Sequence, residues 1–135
     1  MLRHIIVFFL LVPAGLLMSC AETGTADHPE YVSLRGMLER NQDHIEQLKI
    51  GMNEDAVLKL MGFMRAESHD GLVRNPFRRE GYVADNGVRY EILYYYTHPY
   101  AKFHNILDAD LTPILIKNGQ VVGWGWSTVH QVKGW

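Results

Sequence analysis

The spacing of apolar and polar positions divides the chain into a helical part followed by a β part. Apolar residues recur at roughly helical intervals between residues 31 and 49, which predicts a first helix over about 41–49. The next segment has Asn53 as a preferred N-cap, acidic residues in its first turn and Gly62 as a stop signal. This arrangement predicts a second, short helix with one buried stripe.

The second half of the chain has the composition of strands. Residues 88–97 are dense in β-branched and aromatic residues and follow an Asn-Gly turn signal. The apolar segments 112–117 and 120–129 flank a second Asn-Gly pair at 118–119, which strongly favours a hairpin. We therefore predict an α+β fold in which two short helices pack on one face of a three-stranded antiparallel sheet.

The hairpin carries two tryptophans, Trp124 and Trp126, whose position depends on its register. A two-residue turn predicts the pairs Lys117 with Gln120, Ile116 with Val121, Leu115 with Val122 and Ile114 with Gly123. Alternation then places both tryptophans on one face, turned away from the helices, with Trp126 the more exposed. A slip of one residue through a bulge is the alternative and would reverse the last strand.

Two interpretations of that tryptophan face follow from the sequence. The connection 97–112 and the C-terminal residues would cover it, or it would form a surface for a protein partner. Tryptophan is enriched among interface hot spots, and a large exposed apolar patch is unusual on a monomer.

The N-terminal segment has the pattern of a targeting signal. Arg3 precedes an apolar run over residues 5–17, which is shorter than the roughly 20 residues of a membrane-spanning helix. The run ends in Leu-Met-Ser before Cys20, and this resembles the lipobox of bacterial lipoproteins. The resemblance implies cleavage before Cys20, lipidation of that residue, and sorting to the outer membrane because Ala21 follows it.

These patterns give a domain organisation and limit the function classes. We predict a signal peptide over 1–19, a lipidated N-terminus and tether over 20–40, and one α+β domain over 41–135. The chain has 13 basic and 15 acidic residues, and loss of Arg3 lowers the basic count by one to give a net charge of −3. That balance of charge does not indicate a nucleic-acid-binding surface.

Few residues of the sequence suggest a catalytic or metal-binding site. Cys20 is the only cysteine, so the chain forms no internal disulfide, and the seven histidines lack the close pairing of zinc sites. We therefore expect no catalytic residues, no cofactor and no metal. The alternative is a metal set in the long connection, formed by His98, His104, Asp108 and Asp110 if that connection folds back on itself.

A basic segment precedes the aromatic strand. It contains Arg74, Arg78 and Arg79 and is predicted to be a loop. Arginine pairs bidentately with phosphates and carboxylates, so this segment would meet lipid phosphate or an acidic partner. The alternative is a solvated surface in which Glu80 supplies the counter-charge.

Three segments together resemble a known family. The stretches GMNEDAVLKLMG (51–62), YEILYYY (90–96) and ILIKNGQVVGWGW (114–126) are similar to the small outer-membrane lipoproteins of the SmpA/OmlA group, which share a BamE-like domain. The resemblance covers about 41–128. It implies a non-enzymatic lipoprotein on the periplasmic face of the outer membrane, whose domain binds envelope proteins and supports outer-membrane assembly or integrity.

The residues expected to bind the partner are Trp124, Trp126, Arg78 and Arg79. Two other function classes stay open at this point. One is a periplasmic inhibitor-type binding module, because helices packed on a small antiparallel sheet also resemble proteinaceous enzyme inhibitors. The other is a metal-binding enzyme that uses the 98–110 loop.

Overall fold

The computed structural model describes residues 28–99 and 105–135. Its elements in chain order are β1 (Glu30–Tyr31), α1 (Leu34–Ile45), α2 (Glu54–Met61), β2 (Met64–Ser68), β3 (Gly71–Arg74), β4 (Arg78–Val83), β5 (Arg89–Tyr96), β6 (Leu111–Lys117), β7 (Gln120–Trp124) and α3 (Trp126–Lys133). A short 3-10 turn over Asp108–Asp110 leads into β6. The predicted signal peptide, Cys20 and the first part of the predicted tether lie outside the described residues.

The strands form two sheets. An antiparallel four-stranded sheet has the order β4-β5-β6-β7, and a three-stranded sheet has the order β1-β2-β3 with β1 parallel to β2. The predicted arrangement of two helices on one three-stranded sheet is therefore wrong. Strands β2 to β4 were missed because they are short and carry charged residues on their exposed side, a pattern that resembles loops.

The first helix lies earlier in the chain than predicted. It begins at Leu34, inside the range predicted to be a tether, and Ser33 caps it by accepting a hydrogen bond from the Gly36 amide at 3.0 Å. Gly36 and Asn41 weaken the local helical pattern. In the fold Gly36 lies in the first turn, and Asn41 is fully buried with hydrogen-bond partners from distant segments.

Two predicted elements are confirmed. The side chain of Asn53 accepts a hydrogen bond from the Ala56 amide at 2.7 Å and caps α2 as expected. Gly62 ends that helix with φ at +72°, a conformation that residues with a Cβ rarely adopt. The aromatic strand forms as β5 and lies inside the four-stranded sheet.

Both faces of the four-stranded sheet are buried, which explains why β5 has an almost unbroken apolar sequence. One face joins α1, α3 and the three-stranded sheet in a core of Met37, Met64, Ala66, Val73, Ile92, Tyr94, Tyr96, Leu111, Leu115 and Val129. The other face joins α2 in a core of Leu48, Val57, Met61, Leu93, Tyr95, Ile114, Ile116 and Val121. Alternate residues of β5 serve the two cores.

The β6–β7 hairpin begins in the predicted register and then departs from it. Lys117 pairs with Gln120 and Ile116 with Val121, but a bulge shifts the later pairs to Leu115 with Gly123 and Ile114 with Trp124. The predicted register beyond Val121 is therefore wrong, and the one-residue slip is the form that occurs. Gly123, which follows the shift, lies close to α3, where a Cβ would come within 2.6 Å of the side chain of Thr128.

The two tryptophans do not share a face, because β7 ends between them. Trp124 packs against the core on the α2 side, whereas Trp126 packs against the core on the α3 side. Gly125, with φ at +85°, ends β7, so Trp126 is the first residue of α3 rather than a strand residue. Both side chains are partly buried.

In the ranges 28–99 and 105–135, no helix combines the length and the apolar composition that crossing a bilayer requires.

Candidate binding surface

Aromatic rings form a continuous row from the sheet to the last residue of the chain. The ring centroids of Tyr94 and Trp126 are 5.7 Å apart, those of Trp126 and His130 are 6.0 Å apart, and those of His130 and Trp135 are 5.9 Å apart. The Trp126 indole also donates a hydrogen bond to the Leu111 carbonyl at 2.8 Å. The row therefore begins at a buried tyrosine and ends at Trp135, which is 77% exposed.

Charged groups run alongside this row. The Arg78 guanidinium lies 4.0 Å from the centroid of the Tyr94 ring and donates to an Asp108 carboxylate oxygen at 3.0 Å. Lys133, whose side chain is only 10% exposed, donates to Glu80 at 2.6 Å. Its ammonium group also lies 5.1 Å from the Trp135 ring. Cation–π attraction of this kind favours the positions that the aromatic rings occupy.

We call this surface the α3 patch and define it by Arg78, Tyr82, Trp126, His130 and Trp135. Lys133 lies 5.2 Å from the ring of Tyr82 and so joins β4 to α3 beneath the patch. Arginine, tyrosine and tryptophan are the side chains that most often dominate protein interfaces. The patch thus has the composition of a protein-binding surface.

Glu80 is the anionic centre of the patch. The hydrogen bonds from Lys133 and from the Tyr94 hydroxyl, together with the charge of Lys133, lower the pKa of the Glu80 carboxyl. Burial and the hydrogen bond to Glu80 raise the pKa of Tyr94 to about 12. Tyr94 therefore remains a neutral donor over the physiological range, and Glu80 remains its charged acceptor.

Stability should depend on this carboxylate at acid pH. Because its folded pKa lies below the unfolded value of about 4.3, ionised Glu80 stabilises the fold above that pH, and the contribution is lost as the pH falls through the folded pKa. Denaturant titrations at neutral and acid pH should show a Glu80→Gln variant losing less stability on acidification than the wild type. The contribution at neutral pH should be up to about 1 kcal/mol, since the group is partly exposed. Equal acid sensitivity of both proteins would contradict this role.

Arg79 lies on the opposite face of the sheet from Arg78, because consecutive residues of a strand alternate. Its guanidinium bridges two carboxylates, with donor–acceptor distances of 2.7 Å to Glu91 and 2.5 Å to Glu54. The predicted basic loop is therefore wrong: both arginines lie on β4. Of the four predicted partner-binding residues, only Arg78 and Trp126 belong to the α3 patch, while Arg79 and Trp124 lie on the α2 side.

The carboxylates in the connection before β6 bond to other groups of the protein. Asp108 pairs with Arg78, and Asp110 accepts from the Leu107 amide at 2.8 Å. The ring of His98 contacts the Thr97 hydroxyl at 3.0 Å, and His104 lies outside the described residues. In the part of the chain that the structure describes, no three histidine, cysteine or acidic residues are grouped to hold a metal ion.

A protein-family model described as "Protein of unknown function (DUF3192)" matches residues 25–131. The chain belongs to this family. The match spans both sheets and most of α3, so the α3 patch lies almost entirely inside the DUF3192 region. Searches of curated proteins and of solved structures gave no match.

Sequence reasoning on this DUF3192 chain missed Tyr82, His130 and Trp135. A signal for α3 was present, since Val129 and Val132 have helical spacing and Gly134 follows as a stop. The start of the helix was hidden, because its N-cap is Gly125 and no side chain caps it. Because α3 was not predicted, the position of Trp135 relative to the other aromatic residues could not be predicted either.

Proposed function

We propose that this DUF3192 protein is a non-enzymatic lipoprotein of the outer membrane, anchored through Cys20. Its domain faces the periplasm, binds other envelope proteins through the α3 patch and supports outer-membrane assembly or integrity. The lipobox-like sequence supports the anchor, and the resemblance of residues 51–62 and 114–126 to SmpA/OmlA lipoproteins supports the envelope setting. The observation that carries the binding role is Trp135, which is 77% exposed although its ring is held by neighbours.

Leaving an indole in water is unfavourable, and a fixed exposed indole is well suited to binding. His130 and Lys133 restrain Trp135 before any partner arrives, so less side-chain entropy is lost on binding. Arg78, at the Tyr94 end of the same patch, is half-exposed and has guanidinium donors besides the one bonded to Asp108. A partner that presents an apolar pocket beside a carboxylate would match this arrangement.

A Trp135→Ala variant tests the proposal. Full-length wild type and variant would be purified from detergent-solubilised outer membranes, and co-purifying proteins would be quantified. We expect at least about 30-fold weaker binding of the main partner, since a central tryptophan in an interface contributes about 2 kcal/mol or more. Recovery of barrel-assembly components with the wild type would agree with a role in outer-membrane assembly.

Ile50→Ala supplies the matched control. Ile50 is a large apolar residue that is 66% exposed, but it lies in the loop before α2, away from the α3 patch. This variant should retain the partners of the wild type. Equal recovery from the Trp135→Ala and Ile50→Ala variants would contradict binding through the patch, and recovery of one soluble enzyme would favour an inhibitor instead.

A further inference from the structure

One face of the three-stranded sheet is lined, in the described part of the chain, by exposed or half-exposed side chains. In β2, Met64 and Ala66 point into the core, so Arg65 and Glu67 point outward. Arg65 is paired in register with Tyr31 of β1 on one side and with Arg74 of β3 on the other. We define the outer face by the residues Tyr31, Phe63, Arg65, Glu67, Leu72 and Arg74.

Among the described residues, the two arginines of this face have no counter-charge. Arg65 and Arg74 lie directly opposite each other on neighbouring strands, and like charges in that position destabilise a sheet. Within residues 28–99 and 105–135, neither guanidinium has a carboxylate within 4.0 Å. The single acid of the face, Glu67, is paired in register with Leu72. The outer face is therefore cationic, and an anion would relieve the repulsion.

The environment of Arg65 adds a second indication. Its Nε atom is buried and finds no hydrogen-bond partner among the residues that the structure describes, although an unsatisfied buried donor costs about 1–3 kcal/mol. The rest of the guanidinium lies between aromatic side chains, 5.7 Å from the Phe63 ring centroid and 3.5 Å from the Tyr31 hydroxyl. The side chain is thus positioned by aromatic neighbours and not by an ion pair with any described residue.

Large apolar side chains flank the two arginines. Tyr31 is 67% exposed, and Phe63 and Leu72 are also exposed. Amphipathic aromatic side chains next to arginines are the composition found at membrane–water interfaces, where rings sit at headgroup level and cations meet phosphates. The outer face therefore fits an anionic lipid surface better than free solvent.

We propose that the outer face docks the domain onto the phosphate headgroups of anionic phospholipids in the membrane that holds the Cys20 anchor. The inference rests on the anchor of the proposed function. Tyr31 belongs to the first element after the tether, and the 11 residue steps from Cys20 to Tyr31 span at most about 40 Å. The anchor therefore keeps this face close to the bilayer, while the α3 patch, on the other sheet, stays free for proteins.

A fluorescent probe attached to the outer face tests whether this face docks onto a membrane. Because Cys20 is the only cysteine and its thiol is acylated in the mature protein, an introduced cysteine can be labelled selectively. The full acylated chain with Leu72→Cys, carrying an environment-sensitive fluorophore, would be reconstituted in phosphatidylcholine vesicles with and without phosphatidylglycerol. We expect a blue shift of emission only with phosphatidylglycerol, reversed by high salt because the contact is electrostatic.

Charge variants identify the residues responsible. The double variant Arg65→Gln and Arg74→Gln should dock about 30-fold more weakly, which corresponds to about 1 kcal/mol for each arginine. Arg74→Gln alone, at an exposed position, should give a partial loss and guards against misfolding of the double variant. Arg35→Gln removes an exposed arginine that pairs with Glu39 on α1, so it should dock like the wild type.

Several results would overturn the inference. Equal emission in both kinds of vesicle would do so, as would undiminished docking of the double variant. A shift seen in native membranes but not in pure lipid would assign the outer face to a protein partner instead. If docking fails while Trp135-dependent capture of partners persists, the proposed function stands and only this inference falls.

Discussion

Replacing Trp126 with alanine is expected to lower the free energy of unfolding by roughly 3 kcal/mol. The indole packs against the core on the α3 side and lies 5.7 Å from the Tyr94 ring. Its removal leaves a cavity and takes away the donor that bonds the Leu111 carbonyl at 2.8 Å. Denaturant titration of the variant beside wild type measures the loss.

Trp135→Ala is the control for this measurement. Because Trp135 is largely exposed, its truncation should change stability by no more than about 0.5 kcal/mol. The two stability losses would then identify Trp126 as a packing residue and leave Trp135 as a surface residue available for binding. Wild-type stability in the Trp126→Ala protein would contradict the packing role, and a large loss in the Trp135→Ala protein would contradict its role as a free binding surface.

A buried amide pair should give the second large effect. Asn41 and Asn75 donate to each other's side-chain oxygens at 3.0 and 2.7 Å, and both residues are almost fully buried. Asn41 also donates to the Tyr96 carbonyl at 2.8 Å, and Asn75 donates to the Met61 carbonyl at 3.1 Å. The pair thus ties α1 to α2 and to the end of β5.

Asn41→Leu is expected to cost about 3 kcal/mol, because it leaves a buried donor and a buried acceptor of Asn75 without their partner. A double-mutant cycle with Asn75→Leu should show strong coupling, with the double variant less destabilised than the sum of the single variants. Thermal or denaturant unfolding of the four proteins provides the measurement. Additive losses would show that the reciprocal bonds contribute little.

The same asparagines explain why α1 was misplaced from the sequence. Asn41 lowers local helical propensity, and the contacts that compensate come from residues 34 and 55 positions away in the chain. No local pattern displays such partners. By contrast, α2 has its Asn53 cap and Gly62 stop within a few residues, and β5 has a continuous apolar run, so both elements were predictable.

The candidate site shows the same division between local and long-range causes. The Asn118-Gly119 turn correctly predicted the first two pairs of the hairpin, but the turn does not signal the bulge that shifts the later pairs, and the close approach of Gly123 to Thr128 is visible only once α3 is known. Gly125 then ends β7 with φ at +85°, so Trp126 begins α3 and lies on the other side of the sheet from Trp124. Arg78 was predicted to be a candidate. That Arg78, Glu80 and Tyr82 lie on one face could be recognised only once β4 was known to be a strand.

The central claim is that the domain works from a lipid anchor at the membrane surface, since both the binding role and the docking of the outer face depend on it. Intact mass spectrometry of the chain purified from the outer-membrane fraction tests this claim most directly. We predict a mature protein that begins at Cys20 and carries acyl groups, and a Cys20→Ser variant that lacks the acyl mass. A wild-type chain with an unmodified Cys20 thiol, or one that keeps residues 1–19, would contradict the account.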